Sequence, residues 1–197
     1  MNDVIFTYHQ ETALAAGQSG FISESGAYIF SITEAKYMNS PSGAKSIEFS
    51  VETDDGRKAN YLNLYYEKKD GTANAYGVNL INALMGCTGI KQLTRVIKSN
   101  LLLAPELRGK KVGLVLQKKL KTKSDGSDTY SFDIQLPFFA QTRQTLPEKI
   151  AGKPATHIDK LITMLKDKDE RLSPIAQQTS AAYPGDDQFF GESQLSR

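Results

Sequence analysis

The chain has 197 residues, of which 40% are hydrophobic and 23% are charged, and a formal net charge of +2 at pH 7, which is typical of a soluble globular protein. Its one cysteine, Cys87, and its two histidines, His9 and His157, exclude a disulfide framework and leave no cluster for a metal ion, so neither metal nor cofactor is predicted. The sequence shows no secretion signal and no apolar run near the ~20 residues that a membrane helix needs, so we expect a cytoplasmic protein.

Three strands are predicted in the first third of the chain, because large apolar residues alternate with other residues there. In the first two strands these positions are Tyr28, Phe30, Ile32, Ile47, Phe49 and Val51. After a DDG turn, Leu62 and Leu64 share one face of a third strand. Tyr61, Asn63 and Tyr65 share its opposite face. We place the leucines in the core, whereas the reverse register would bury the tyrosines.

Helices and a hairpin are predicted after residue 70. Apolar residues at helical spacing predict two short helices. The first would end at Gly86 and carries Val78, Ile81, Leu84 and Met85. The second would begin beyond Gly89 and carries Ile90, Leu93, Val96 and Ile97. Alternation then returns in a fourth and a fifth strand, which form a hairpin. The fourth strand carries Val112, Leu114 and Leu116, and the fifth carries Tyr130, Phe132, Ile134 and Leu136. A last helix is expected to begin at Thr156 and to bury one apolar stripe: Ile158, Leu161, Ile162 and Leu165.

This order of elements predicts a mainly β fold. It matches a five-stranded antiparallel barrel like the oligonucleotide-binding fold, with short helices between strands three and four and a C-terminal helix. Residues 26–140 would form the barrel, after an N-terminal arm (1–25) that could add a short strand at residues 3–8. Residues 141–172 would hold a linker and the amphipathic helix. Residues 173–197 are rich in Gln, Ser, Ala, Pro and Gly and are expected to be a disordered tail.

The fourth strand and the loop after it are strongly basic. Seven basic residues and no acidic one occur there: Arg108, Lys110, Lys111, Lys118, Lys119, Lys121 and Lys123. In the oligonucleotide-binding fold, nucleic acid lies over strands two and three and is held by the loops joining strands one to two and four to five. A cationic arm in the latter loop could follow a phosphate backbone. Lysines of this kind also keep sheet edges unpaired, and the segment alone does not separate the two roles.

The solvent face of the third strand offers a stacking platform. Tyr61 and Tyr65 would lie about two strand repeats apart with Asn63 between them, which suits stacking of successive bases at ~1 to 3 kcal/mol each. Tyrosines on strands are also frequent for packing reasons alone. We favour stacking, because this register leaves the polar Asn63 outside the core.

Four features between Gly26 and Leu136 resemble single-stranded DNA-binding proteins of bacteriophages and prophages. They are a first strand that ends near Glu34, an S-x-S-G turn at Ser40–Gly43, a helix carrying LINALM, and an LRGKKV segment before strand four. The resemblance implies an oligonucleotide-binding barrel that coats and protects single-stranded DNA during replication or recombination in a bacterial host cell. It also implies a tail that recruits other proteins.

The last 25 residues carry a net charge of −2. Because the whole chain carries +2, residues 1–172 carry a net charge of +4. The tail contains DDQFF, with Asp186, Asp187, Phe189 and Phe190, which is similar to the acidic and apolar tip that many such proteins offer to partner enzymes. Seven residues follow Phe190 in this sequence, so that residue cannot supply a free terminal carboxylate. We expect the tail to bind a partner or to fold back on the cationic groove. Docking of its phenylalanines on the protein's own surface stays open.

The leading interpretation is therefore a non-enzymatic protein that binds single-stranded DNA without strong sequence preference. The alternative is a protein-interaction or structural barrel, such as a phage accessory module, in which the basic hairpin meets an acidic protein. The usual motifs of hydrolases and nucleotide-binding enzymes are missing from the sequence, so no enzyme is predicted. The sheet edges or the extra helix could also support a homodimer.

Overall fold

Eight β-strands run through the part of the chain that the computed structural model describes, which comprises residues 20–171 with Thr7, Tyr8 and Gln10. They are β1 (Gly26–Asn39), β2 (Lys45–Glu52), β3 (Lys58–Glu67), β4 (Val96–Lys98), β5 (Leu101–Leu103), β6 (Lys111–Thr122), β7 (Asp128–Phe138) and β8 (Lys168–Asp169). Within residues 20–171 the helices are α1 (Ala75–Thr88), α2 (Leu146–Ile150) and α3 (His157–Met164), with a 3-10 turn at Pro105–Leu107.

Strand β1 is the centre of the sheet because its two halves have different neighbours. Its first half pairs antiparallel with β6, from Gly26 opposite Leu116 to Ser31 opposite Lys111. From Ser31 onward it pairs antiparallel with β2, and its far end meets β5 at Lys36. The strand order on one side is therefore β3-β2-β1-β5-β4, while β6 joins β1 to β7 and to the short parallel strand β8.

The prediction of a mainly β, antiparallel fold is confirmed, but a closed five-stranded barrel is not what the structure shows. The five predicted strands correspond to β1, β2, β3, β6 and β7, and three further strands are present in the described ranges. The ladder is open between β3 and β7, which pair with β2 and β6 but not with each other. Helix α1 packs on both β3 and β7 beside this opening.

The core lies on the faces that the alternation predicts. Its fully buried side chains include Phe30, Ile32, Phe49, Val51, Leu62, Leu114 and Leu116. The middle of β6 is buried on both faces, because Val115 points away from this core and packs with Phe138 and Ile158 of α3. Gly113 lies against Phe138 so closely that a Cβ would be 2.0 Å from the ring. The unbroken apolar run in β6 thus reflects a strand with both faces covered.

The predicted second helix after Gly89 is wrong. Helix α1 continues through Gly86 to Thr88, and its C-cap Gly89 takes the left-handed conformation (φ 73°). Beyond it, β4 and β5 form a hairpin whose two turn residues, Ser99 and Asn100, both have positive φ. The β-branched pair Val96 and Ile97 favours this strand over a helix.

The last helix is confirmed as α3, but Thr156 makes no side-chain cap hydrogen bond. Glu148 of α2 caps it instead, by accepting hydrogen bonds from the backbone N–H groups of Thr156 (2.9 Å) and His157 (2.8 Å). Glu148 also completes a capping box with Thr145 at the start of α2, a helix that the hydrophobic pattern missed. Residues 3–6 of the predicted arm strand and the predicted disorder after residue 172 fall outside what the structure describes, and the described Thr7 and Tyr8 are not in a strand.

Candidate nucleic-acid interface

A groove of about 440 Å³ lies on the surface where the ladder is open, between β3, β7 and the start of α1. Three tyrosines and three charged side chains are in its lining: Tyr61, Tyr65, Tyr76, Lys119, Lys121 and Asp133. The structure therefore brings the two predicted stacking residues together with two of the predicted lysines.

Tyr61 has an unusual backbone conformation at this site. Its φ is +60°, in the left-handed region, and its side chain is 75% exposed. The register between β2 and β3 shifts here, because Phe49 pairs with Leu62 whereas Val51 pairs with Ala59. This extra residue in β3 is a β-bulge, a device that redirects a side chain next to a site. A bulky residue in the left-handed region costs roughly 1–2 kcal/mol, so the strand is strained at the residue that the groove presents.

Asn63 supports this bulge rather than pointing freely into solvent. Its side-chain oxygen accepts a hydrogen bond from the Ser46 hydroxyl at 2.8 Å. Its amide nitrogen donates to the Tyr61 carbonyl at 3.1 Å and to the Glu48 carboxylate at 3.5 Å. The predicted binding residue Asn63 is thus in the groove lining, with its amide already hydrogen-bonded on the protein.

Tyr76 completes the aromatic lining and was missed by sequence reasoning. It is 61% exposed in the first turn of α1, which begins after its N-cap Asn74. The next residue, Gly77, meets β3 so closely that a Cβ would be 1.7 Å from the Tyr65 carbonyl oxygen. This contact holds the first turn of α1 against the groove. Partial burial, and then the negative charge of Asp133, raise the pKa of the Tyr76 hydroxyl. The helical spacing of apolar residues predicts only the buried face of α1. It therefore gives no indication that an exposed aromatic residue in the first turn lines a groove.

The lysines of the β6–β7 hairpin do not all face the groove. Lys119 and Lys121 line it, and the Lys119 ammonium forms an ion pair with Asp133 at 2.9 Å. Lys118 points to the other face of β6, where its ammonium lies 4.9 Å from the centre of the Tyr130 ring. Lys123 lies at the exposed turn. Alternation along the strand therefore separates Lys118 from Lys119 and Lys121.

Arg108, Lys110 and Lys111 lie at the opposite end of β6 from the groove. Ten residue steps separate Lys111 from Lys121, which corresponds to about 33 Å of strand. The Lys111 ammonium is paired with Asp54 at 2.8 Å, and Arg108 lines a separate cavity of about 240 Å³ beside β4 and β5. The structure does not bring these three residues into the groove.

The described chain ends beside the basic hairpin. Strand β8 lies along β6, and the Glu170 N–H donates a hydrogen bond to the Leu120 carbonyl at 2.9 Å. The pKa of the Glu170 carboxyl is lowered, first by its hydrogen bond with Lys168 and further by the charges of Lys119 and Lys121. Arg171 pairs with Asp128 at the end of the hairpin. The predicted tail residues Asp186, Asp187, Phe189 and Phe190 fall outside the described residues.

Cys87 is buried in the core, and desolvation raises the pKa of its thiol to about 11. Within residues 20–171, no group of three or more His, Cys, Asp or Glu side chains could hold a metal ion. The helices of this same region are all too short or too polar to cross a membrane. None of these features adds a second chemical site to the groove.

Comparisons with known proteins identify no family for this chain. No protein-family model matches it, and no curated protein matches it. The resemblance to phage single-stranded DNA-binding proteins therefore stays a prediction from sequence, and only the geometry of the groove bears on function.

Proposed function

We propose that the protein binds single-stranded DNA in the groove between β3 and β7, without strong sequence preference and without catalysing a reaction. The observation that carries this proposal is Tyr61. Its left-handed backbone would suit glycine or asparagine, yet the position holds a large aromatic side chain that is 75% exposed. Strain that is kept at an exposed aromatic residue beside a groove favours a role in binding over a role in packing.

The groove supplies the two kinds of contact that non-specific single-strand binding needs. Tyr61, Tyr65 and Tyr76 offer aromatic faces, on which any base can stack at ~1 to 3 kcal/mol each. Lys121 offers positive charge for the phosphates, and Lys119 offers it in competition with Asp133. Both polar atoms of the Asn63 side chain in the lining are already hydrogen-bonded on the protein, which agrees with weak sequence preference.

The position of the groove also agrees with an oligonucleotide-binding barrel left open on one side. In that fold, nucleic acid crosses strands two and three and meets the loop between strands four and five. Of the corresponding elements here, β3 and the β6–β7 hairpin line the groove and β2 does not. On this proposal the protein would coat and protect single strands during phage replication or recombination, with the tail (173–197) recruiting partner proteins.

Equilibrium binding to oligo-dT and to duplex DNA of the same length, each at two salt concentrations, tests the proposal. We expect tight binding to oligo-dT that weakens as salt rises, and much weaker binding to the duplex, because stacked and paired bases cannot reach the tyrosines. Equal affinity for both forms would contradict the proposal. No binding to oligo-dT at low salt would favour the protein-interaction module that the sequence leaves open.

A further inference from the structure

The β4–β5 hairpin is an apolar arm at the edge of the sheet. Within the described part of the chain, β4 pairs with β5 alone, and β5 meets β1 at a single residue pair, Lys36 with Leu103. Ile97 at the centre of β4 is 73% exposed, and Val96 and Leu101 are exposed as well. An exposed, apolar edge strand is a template for pairing with another chain.

The turn fixes which backbone groups of β4 face outward. Ser99 and Asn100, both with positive φ, form a two-residue turn between Lys98 and Leu101. Such a turn makes Lys98 and Leu101 a hydrogen-bonded pair, and pairs alternate along an antiparallel ladder. The pair of Ile97 with Leu102 is therefore not hydrogen-bonded, so the N–H and C=O of Ile97 point away from β5 toward the open edge.

A second copy of the same strand complements this edge. If two β4 strands pair antiparallel about a two-fold axis through Ile97, the two Ile97 residues exchange both of their backbone hydrogen bonds. On one face of the joined sheet, the two Ile97 side chains and the two Leu102 side chains then form one apolar row. On the other face, Lys98 lies opposite Val96 of the second copy, so no like charges meet across the axis.

We infer that the protein self-associates through β4, as a symmetric dimer in which the sheets of two copies join at Ile97. The order β3-β2-β1-β5-β4 would continue into β4 and β5 of the second copy. The contact is short, since β4 has three residues, so the dimer is weak and its population depends on protein concentration.

Sedimentation equilibrium of the full chain without DNA tests this inference. We expect a species of twice the 21.7 kDa chain mass that increases with concentration. Ile97→Glu and Ile97→Lys each place two like charges on the axis and should abolish this species. An equimolar mixture of the two variants should restore it, because unlike charges then face each other. Ile97→Thr, which keeps a β-branched side chain, should keep the dimer.

Three results would overturn the inference. If the wild-type protein keeps a mass of 21.7 kDa at every concentration, β4 does not pair with a second copy. Its edge then binds a different protein or faces solvent. A dimer that persists in both charged variants forms through another surface. A mixture that stays monomeric shows that residue 97 does not face itself across an axis. Unchanged circular dichroism and thermal unfolding of each variant verify that the exposed position was altered without loss of the fold.

Discussion

The Lys119 ammonium lies 2.9 Å from the Asp133 carboxylate inside the groove between β3 and β7. The Lys119 side chain is only 17% exposed and the Asp133 side chain is 44% exposed, so the pair is held partly out of water. One of the two lysines that line the groove is thus neutralised by the protein itself. A phosphate that approaches Lys119 must compete with this carboxylate, which limits the affinity of the groove for a charged backbone.

Replacing Asp133 by asparagine should therefore strengthen binding to single-stranded DNA. Asp133→Asn keeps the size of the side chain and removes its charge, which frees Lys119 for a phosphate. We expect affinity for oligo-dT to rise several-fold at low salt, and the slope of log affinity against log salt to steepen by about 0.7. Titrations of the wild type and the variant at a series of salt concentrations measure both quantities. An unchanged slope would show that Lys119 does not meet a phosphate.

Removing a groove lysine should have the opposite effect, and the chain offers a matched control at the far end of β6. Lys121→Gln should weaken oligo-dT binding and make the salt slope shallower by about 0.7, because one phosphate contact is lost. Lys110→Gln changes the total charge equally but lies outside the groove lining, so it should change the slope little. Equal effects of the two substitutions would mean that binding responds to net charge rather than to the groove.

The strain at Tyr61 predicts that stability and binding change in opposite directions. Tyr61→Gly removes the left-handed strain and loses little burial, so we expect the free energy of unfolding to rise by roughly 1 kcal/mol while oligo-dT affinity falls. Tyr65 has no such backbone conformation, and Tyr65→Gly should lower both quantities, because glycine weakens a strand interior. Denaturant unfolding and oligo-dT titration of both variants compare the positions directly. A loss of stability in Tyr61→Gly would contradict a strained platform.

Glu148 predicts an acid-sensitive junction between α2 and α3. Its carboxylate accepts hydrogen bonds from the backbone N–H groups of Thr145, Thr156 and His157, and these lower its pKa from 4.5 to about 2. Because the folded pKa lies below the unfolded value, the unfolded chain takes up the proton first as pH falls. The stabilisation by this group is therefore complete above about pH 5 and is lost between that value and pH 2.

Chemical unfolding of the wild type and Glu148→Gln between pH 7 and pH 2 checks this prediction. The wild type should be the more stable protein at neutral pH, and the difference in free energy of unfolding should shrink as pH falls through 4.5. Glu24→Gln, which removes an exposed carboxylate, provides the control and should differ little from the wild type. A difference that stays constant down to pH 2 would show that the charge of Glu148 contributes nothing at the junction.

The strands that carry the core were predictable because burial on one face leaves alternation in the sequence, as in Phe49 and Val51. The second predicted helix, after Gly89, is wrong because Val96 and Ile97 also fit helical spacing. The positive φ angles of Ser99 and Asn100 form a tight turn that makes this segment a hairpin. The sequence predicts a helix end at Gly86, yet this residue lies inside α1, where a Cβ would be 2.9 Å from the Leu146 side chain. Such close approaches depend on tertiary contacts that periodicity does not encode.

For the candidate site, strand alternation was enough to place Tyr61 and Tyr65 on the solvent face. The bulge at Tyr61 was not predictable, because it depends on the register against β2. Tyr76 was missed because the sequence does not show that α1 begins beside β7. The basic segment was predicted as one feature, but strand length separates Lys111 from Lys121 and alternation separates Lys118 from Lys119.

The most direct test of the central claim is oligo-dT binding by two triple variants of the groove. In one, Tyr61, Tyr65 and Tyr76 are all changed to alanine, and in the other all three are changed to phenylalanine, which keeps the rings. We expect the alanine variant to lose affinity by roughly 1–3 kcal/mol for each base that stacks, and the phenylalanine variant to bind nearly as the wild type does. An alanine variant that is folded and binds oligo-dT like the wild type would contradict the account.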